Sequence, residues 1–288
     1  MKTIDAEQIW HLLPPRQSDT NKGSFGRVVA VAGSTRYRGA AALCTEGALR
    51  TGAGLVYLAG VEPVLQLVLA RTPECCALPC RATENGCLLP EDVAASAASL
   101  AENSILLAGP GLGPAESAGA ILRPLFGRPW SGLVLDADGL NALAAGACPP
   151  PPAGAVLTPH PGEMARLLHT DVATVQSDRA GAAGTLAKKL NCVAVLKGSG
   201  TLIATPAGAI YQNTTGNPGL ARGGSGDILA GMIAGLLAQG LDAERAACCG
   251  VYLHGAAADR CAARRGMQTM LPQDIFDDLC ALFAGAAR

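Results

Sequence analysis

The chain has almost no net charge. Its 288 residues carry 22 Lys and Arg against 23 Asp and Glu, a balance of −1. Without a basic surplus there is no electrostatic footprint for nucleic acid or an anionic membrane surface, so neither is expected as a partner. A long hydrophobic run is missing too. The longest, Ile228 to Leu241, has about 14 residues between Asp227 and Asp242. That is short of the roughly 20 a membrane span requires, and it reads as a buried core helix. The N-terminus, MKTIDAEQIW, carries early acids and no apolar h-region, so no signal peptide is expected and the protein is placed in the cytoplasm. Aromatic residues are scarce, at 3%.

Two nucleotide signatures are also absent. There is no G-x-x-x-x-G-K-[ST], which excludes a P-loop NTPase. No G-x-G-x-x-G follows the first strand signal, where Gly33-Ser34-Thr35 stands instead, so the Rossmann dinucleotide reading fails. Eleven cysteines are present, and Cys75, Cys76, Cys80 and Cys87 cluster, yet their spacing fits no zinc pattern and no histidine lies nearby. Reduced thiols used as small hydrophobes are the better reading.

What the chain has in excess is glycine: 36 of 288 residues, or 12.5%, against roughly 7% in average usage. Such a backbone turns tightly or approaches a ligand closely. Short apolar runs at Arg27–Gly33, Leu55–Ala59, Ser104–Ala108, Gly132–Leu135, Ala155–Leu157 and Cys192–Leu196 read as buried strands. Helical patterns fall between them, at Gly39–Thr51, Asp92–Leu100 and Asp178–Leu190, the last with Ser177 as its expected N-cap. Thr201–Ala204 and Ala209–Gln212 flank a hairpin turn at Thr205–Gly208. Helices around Ile228–Ala238 and Ala243–Ala263 follow, and a last one begins near Pro272. Strand, helix and strand in alternation predict a parallel sheet. Pro149–Pro152 reads as a surface connection, and no internal repeat is found, so one α/β domain is expected over residues 1–288.

The glycines gather where open α/β sheets bind ligands, at the carboxyl ends of strands. Gly109–Gly113 (GPGLG) follows one strand and Lys197–Thr201 (KGSGT) another, while Gly223–Asp227 (GGSGD) opens the strongest helix. Ile228, Leu229, Met232, Ile233, Leu236 and Leu237 form an apolar stripe on that helix. Its N-terminus is therefore anchored, and its bare amides make an anion hole aimed at a phosphate. Asp227 reads either as a first-turn acid or as a general base beside a phosphate under transfer. Arg222 is either a phosphate-facing charge or a solvated loop arginine. In VLDADGLN, Asp136 and Asp138 suit magnesium, a substrate hydroxyl or helix capping. In LTPHPGE, His160 and Glu163 suit either a site or an ordinary loop and first-turn acid.

These segments together resemble one family. GGSGD opening a helix is similar to the anion hole and base of the ribokinase-like superfamily. With KGSFGRVVAVAGS, Gly39-Ala40-Ala41, GPGLG, VLDADGLN, LTPHPGE, VLKGSGT, NTTGNPGLARGGSGD and YLHG, over about residues 22 to 255, the chain resembles the ADP-dependent NAD(P)H-hydrate dehydratases. The resemblance implies a ribokinase-like three-layer α/β domain, with a central mostly parallel sheet and helices on both faces. It also implies repair of hydrated NADH and NADPH in the S form. ADP and Mg2+ drive the water off, with ATP as an alternative donor, and AMP and phosphate are released. By the same resemblance Asp227 is the catalytic base touching the substrate hydroxyl, and Gly226 lies against the nucleotide phosphate. Lys197, Gly198, Ser199, Gly200 and Thr201 hold the AMP portion, and Ala40, Gly111 and His160 contact the hydrated dinucleotide.

His160 and Glu163 form an i, i+3 pattern that resembles the N-x-x-E motif serving magnesium and phosphate in many kinases of the superfamily, with His replacing Asn. Ser225 replaces the commoner Thr and keeps its hydroxyl. The resemblance further implies a homotetramer, and no N-terminal epimerase domain is expected. A vitamin-precursor kinase of the same superfamily and a nucleotide-binding sensor without turnover are the competing readings.

Overall fold

The computed structural model describes residues 1–98 and 100–286. In chain order the first half contains β1 (Lys2–Thr3), α1 (Ala6–Leu12), β2 (Arg27–Val31), α2 (Arg38–Arg50), β3 (Leu55–Gly60), α3 (Glu62–Arg71), β4 (Cys76–Pro79), α4 (Pro90–Ala98), β5 (Ile105–Ala108), α5 (Ala115–Phe126), β6 (Gly132–Leu135) and α6 (Asp138–Ala144). The second half contains β7 (Val156–Leu157), α7 (Pro161–Leu168), α8 (Val172–Ser177), α9 (Arg179–Leu190), β8 (Val193–Leu196), β9 (Leu202–Ala204), β10 (Ile210–Gln212), α10 (Ser225–Ala238), α11 (Ala243–Arg265) and α12 (Ile275–Ala286). They build one ten-stranded sheet in the order β1-β10-β9-β8-β7-β6-β5-β2-β3-β4. Only β9 runs against the rest.

Strands β5 and β8 are buried along their whole length, as a sheet covered on both faces requires. One connected set of helices includes α2, α3, α10, α11 and α12, and another includes α4, α5, α6, α7 and α9. Strand β3 touches α2 and α4, and β8 touches α9 and α11, so the two sets lie on opposite faces. The result is the three-layer α/β arrangement expected. The chain leaves β2 toward β3 and β4, then returns to the other side of β2 with β5. This reversal between β2 and β5 is the kind of point at which open sheets bind ligands.

Helix α10 is the element that fixes the site. Its apolar stripe is buried, each large side chain contributing about 2 kcal/mol of transfer free energy. It also lies unusually close to α2. A Cβ on Gly231 would overlap the Cys44 carbonyl, and one on Gly47 would come 2.8 Å from the Ile228 carbonyl oxygen. Thr51 Oγ1 donates to Met232 O across the same seam (3.3 Å).

Several details differ from the expectations, among them an edge strand, β1, and the helices α1 and α3. Asp178, not Ser177, caps α9: its side chain accepts from Gly181 N (2.8 Å), while Ser177 closes α8. A carboxylate makes the stronger cap, and the sequence offered both side by side. Helix α4 starts at Pro90, where proline suits a first turn, and Leu100 lies in a turn; Ser99, inside the expected helix, falls outside the described residues. The cysteine cluster contains an unexpected strand, β4, paired with β3. All eleven cysteines are free, and Cys75, Cys80 and Cys87 are buried.

Candidate active site

The loop before α10 is shaped by Gly224, its N-cap, at φ +102°, a conformation that side-chain-bearing residues rarely adopt. Ser225 N donates back to Arg222 O (3.3 Å), but the amides of Gly226 and Asp227 have no acceptor among the described residues. Two unused donors at the positive end of a 14-residue core helix form an anion-binding surface. Arg222 points elsewhere, donating to the carbonyl of Gln268.

Asp227 stands in the first turn and makes no cap hydrogen bond, since the N-cap is Gly224. Burial pushes its carboxyl up to about 6, the charge of Asp136 adds to the rise, and Lys197 opposes it. A half-buried carboxyl with this affinity is poised to take a proton near neutral pH.

Behind it lies a charged cluster drawn from three strand ends. Asp136, at the end of β6, is 1% exposed, and Lys197 Nζ donates to its Oδ1 at 2.7 Å. The same amine is 3.8 Å from Glu163 Oε2. Burial works against the ammonium, but Asp136 and Glu163 outweigh it and raise its pKa. Glu163 moves the other way from a usual carboxylate: burial pushes it up to about 7. Three carboxyls (Asp136, Glu163 and Asp227) thus share one ammonium. Between Asp136 and Asp138, Ala137 is held at φ +48°, ψ −118°, a strain of about 1–3 kcal/mol of the sort that collects at functional sites. It turns Asp136 toward Lys197 while Asp138 Oδ2 accepts from Gly113 N (2.9 Å), tying this segment to GPGLG.

His160 is the N-cap of α7. Its Nδ1 accepts from Gly162 N (3.0 Å), and its own amide donates to Glu163 Oε2 (2.7 Å) in a capping box. Burial and the nearby Lys197 lower its pKa, which keeps Nδ1 free to accept. The ring is half exposed, and its Nε2 lies 3.5 Å from Glu163 Oε1. Loop histidine and site residue are therefore compatible in one side chain.

The expected site residues fall into linked groups. A Cβ on Gly226 would lie 3.2 Å from Lys197 Nζ and 3.6 Å from Asp136 Oδ2, so anion loop and cluster adjoin. One on Gly109 would overlap the Asp136 carbonyl, and one on Gly111 would meet Tyr37 Cβ at 2.8 Å and Ala40 Cβ at 3.1 Å. Ala40 and Gly111 are thus neighbours. Lys197 N donates to Pro159 O (2.9 Å), joining KGSGT to LTPHPGE. The rest of KGSGT turns away from the cluster. Gly198 and Gly200 have positive φ, and Thr201 bonds to Gly198 O and, through its carbonyl, to Asn213 N. Sequence reasoning left His254 of YLHG without a role. It is buried, and burial pushes its pKa down to about 4, beside the backbone of Ser225. Its HG pair was the available signal, because the following glycine packs where a Cβ would strike Thr215.

A family model described as NAD(P)H-hydrate dehydratase matches residues 28–280. The chain is 43% identical over 273 residues to the bifunctional NAD(P)H-hydrate repair enzyme Nnr of Moorella thermoacetica, covering 93% of this chain and 51% of that protein. It therefore spans about half the length of such bifunctional relatives. To the ADP-dependent (S)-NAD(P)H-hydrate dehydratase of Neisseria meningitidis serogroup B it is 39% identical, covering 86% of this chain and 81% of that one. The crystal structure of the ADP/ATP-dependent NAD(P)H-hydrate dehydratase of Bacillus subtilis, co-crystallised with ATP/Mg2+, superposes with a TM-score of 0.86 at 33% identity, covering 99% and 98% of the two chains. The fold is the ribokinase-like one. With this site on this fold, the chain belongs to the NAD(P)H-hydrate dehydratase family.

Proposed function

We propose that the protein catalyses the ADP-dependent dehydration of the S form of hydrated NADH and NADPH. The observation that carries the reading is the raised carboxyl of Asp227 beside the unpaired amides of Gly226 and Asp227. Asp227 accepts the proton of the ring hydroxyl as its oxygen bonds to the terminal phosphorus of ADP. The bond to AMP breaks, and its electrons stay with AMP. The amides at the N-terminus of α10 hold the charge that builds on the transferred phosphoryl group. The ester that results has phosphate as a good leaving group. Its departure with a neighbouring ring proton restores the ring double bond, so hydrate and ADP become NAD(P)H, AMP and phosphate.

Ala40, Gly111 and His160 are assigned to the hydrated dinucleotide, and Gly198, Ser199, Gly200 and Thr201 to the AMP portion. Lys197 belongs to the charged cluster as well as to that segment. Magnesium fits the donor set: three carboxyls share one ammonium, and Glu163 is pushed up to about 7 by burial, with the charge of Asp136 adding to the rise. Among the described residues no three side chains form a metal cage. Asp136 and Glu163 would hold an ion that arrives on phosphates, and there it would neutralise phosphate charge. The names of the Neisseria and Bacillus relatives support the choice of nucleotide and substrate. A cytoplasmic homotetramer is part of the proposal, and eleven free thiols favour the reducing compartment.

The test is to incubate purified protein with hydrated NADH, ADP and magnesium and follow the return of reduced-nicotinamide absorbance. AMP and phosphate should appear in equal amounts. No recovery with either ADP or ATP overturns the proposal.

A further inference from the structure

The turn after β2 carries an exposed aromatic ring between two arginines, Arg36-Tyr37-Arg38, in a chain with only four tyrosines. Tyr37 is 47% exposed and caps α2 without a side-chain hydrogen bond. The Arg36 guanidinium lies over its ring at 5.7 Å, and Arg38 Nε is anchored to Thr35 O at 3.0 Å. Among the described residues neither arginine is in an ion pair.

The place of this turn matters. It rises at the reversal between β2 and β5, and Gly33 N donates to Pro110 O across that gap (2.7 Å). Gly111 has room for no side chain because Tyr37 and Ala40 are there, and two residues earlier Gly109 lies against Asp136. Two residues of chain span at most about 7 Å, so the tyrosine lies at the same strand ends as the Asp136 backbone. KGSGT, after β8, is three strand spacings from β5, or about 14 Å along the same edge. KGSGT and Tyr37 therefore stand on opposite sides of Asp136 along the sheet edge.

We infer that Arg36, Tyr37 and Arg38 form the outer wall of the dinucleotide subsite, with the Tyr37 ring stacking on a planar ring of the substrate and the arginines taking one of its phosphates. The inference rests on the proposed dehydratase reading and names residues for its substrate that the resemblance did not. A tyrosine face and two unpaired guanidinium groups suit a molecule with two flat rings and a pyrophosphate.

The experiment compares wild type with Tyr37→Ala, Tyr37→Phe and Arg36→Ala/Arg38→Ala. It measures kcat and KM for hydrated NADH, hydrated NADPH and ADP, and NADPH binding by calorimetry. Tyr37→Ala should raise KM for both dinucleotides and weaken NADPH binding about tenfold, the scale of one aromatic stack, with kcat and the KM for ADP within twofold. Tyr37→Phe should restore wild-type values to within twofold. The double arginine variant should lose at least fivefold in NADPH affinity. Loss shared with NADH places the arginines on the pyrophosphate, loss confined to NADPH places them on the 2′-phosphate, and both support the inference. Unchanged dinucleotide affinity in Tyr37→Ala, or a rise in the KM for ADP instead, overturns it. If wild type dehydrates nothing, the functional proposal fails, and the calorimetry still decides whether this turn binds a dinucleotide.

Discussion

Lys197 Nζ lies 2.7 Å from Oδ1 of Asp136, a carboxylate only 1% exposed, although 61 residues separate the two in sequence. The pair links the carboxyl ends of β6 and β8 directly below Gly226. Removing one partner strands a buried charge, which costs about 3–5 kcal/mol, whereas removing both leaves no such charge. Lys197→Met and Asp136→Asn should therefore each lower the urea midpoint by more than Asp136→Asn/Lys197→Met does, as equilibrium unfolding of wild type and the three variants will show. An additive loss in the double variant would mean that the ion pair contributes nothing of its own.

If Asp227 is the base, Asp227→Asn removes the proton acceptor and leaves the amides of α10 in place. Turnover should fall by about 10²–10⁴-fold. ADP should still raise the melting temperature as it does in wild type, because the nucleotide binds the folded state through other groups. Full activity in the variant excludes Asp227 from the chemistry.

The same carboxyl sets an acid limit. A base must be ionised, so its activity is present above its pKa and is lost as pH falls through it. Burial and Asp136 hold the Asp227 carboxyl at about 6, where an exposed aspartate would titrate near 4. The profile of kcat/KM should therefore show an acid limb with its midpoint near pH 6, falling tenfold per unit below it. A limb near pH 4 would mean that the crowding by Asp136 and Asp138 is relieved in the free enzyme.

The glycine loops were legible because their chemistry is local. GPGLG, KGSGT and GGSGD each follow a strand or open a helix, and backbone amides need no distant partner to make an anion hole. The strands of the parallel core were legible for the same reason, as short unbroken apolar runs. What lay beyond reach depends on contacts far apart in sequence. Nothing in VLDADGLN announces that Asp136 pairs with Lys197 while Asp138 bonds Gly113, because the division is made by the strained Ala137 between them. His160 was ambiguous because it does two things, capping α7 with one nitrogen and presenting the other. Aromatic residues are scarce, and composition could not say that one of them, Tyr37, stands exposed in the turn after β2.

Close approach of α2 and α10 is the last feature that a substitution can isolate. Gly231 and Gly184 both lie inside helices, α10 and α9, and alanine is the better helix former at either position by up to about 1 kcal/mol. Around Gly184 a Cβ meets nothing within 4 Å, whereas at Gly231 it would overlap the Cys44 carbonyl. Gly184→Ala should then be stabilising by about 0.5–1 kcal/mol, and Gly231→Ala destabilising by about 1–3 kcal/mol as α2 is pushed away. Only the second should affect turnover. Gly224, Gly226 and Asp227 sit at the start of α10, and Leu43 of α2 lies 2.5 Å from where a Gly224 Cβ would stand, so a shift between the helices moves the amides away from the phosphate. Unfolding curves and kcat for the two variants will decide it. Equal stabilities would show that the helices have slack, and the anion loop would then owe its position to the core stripe of α10 alone.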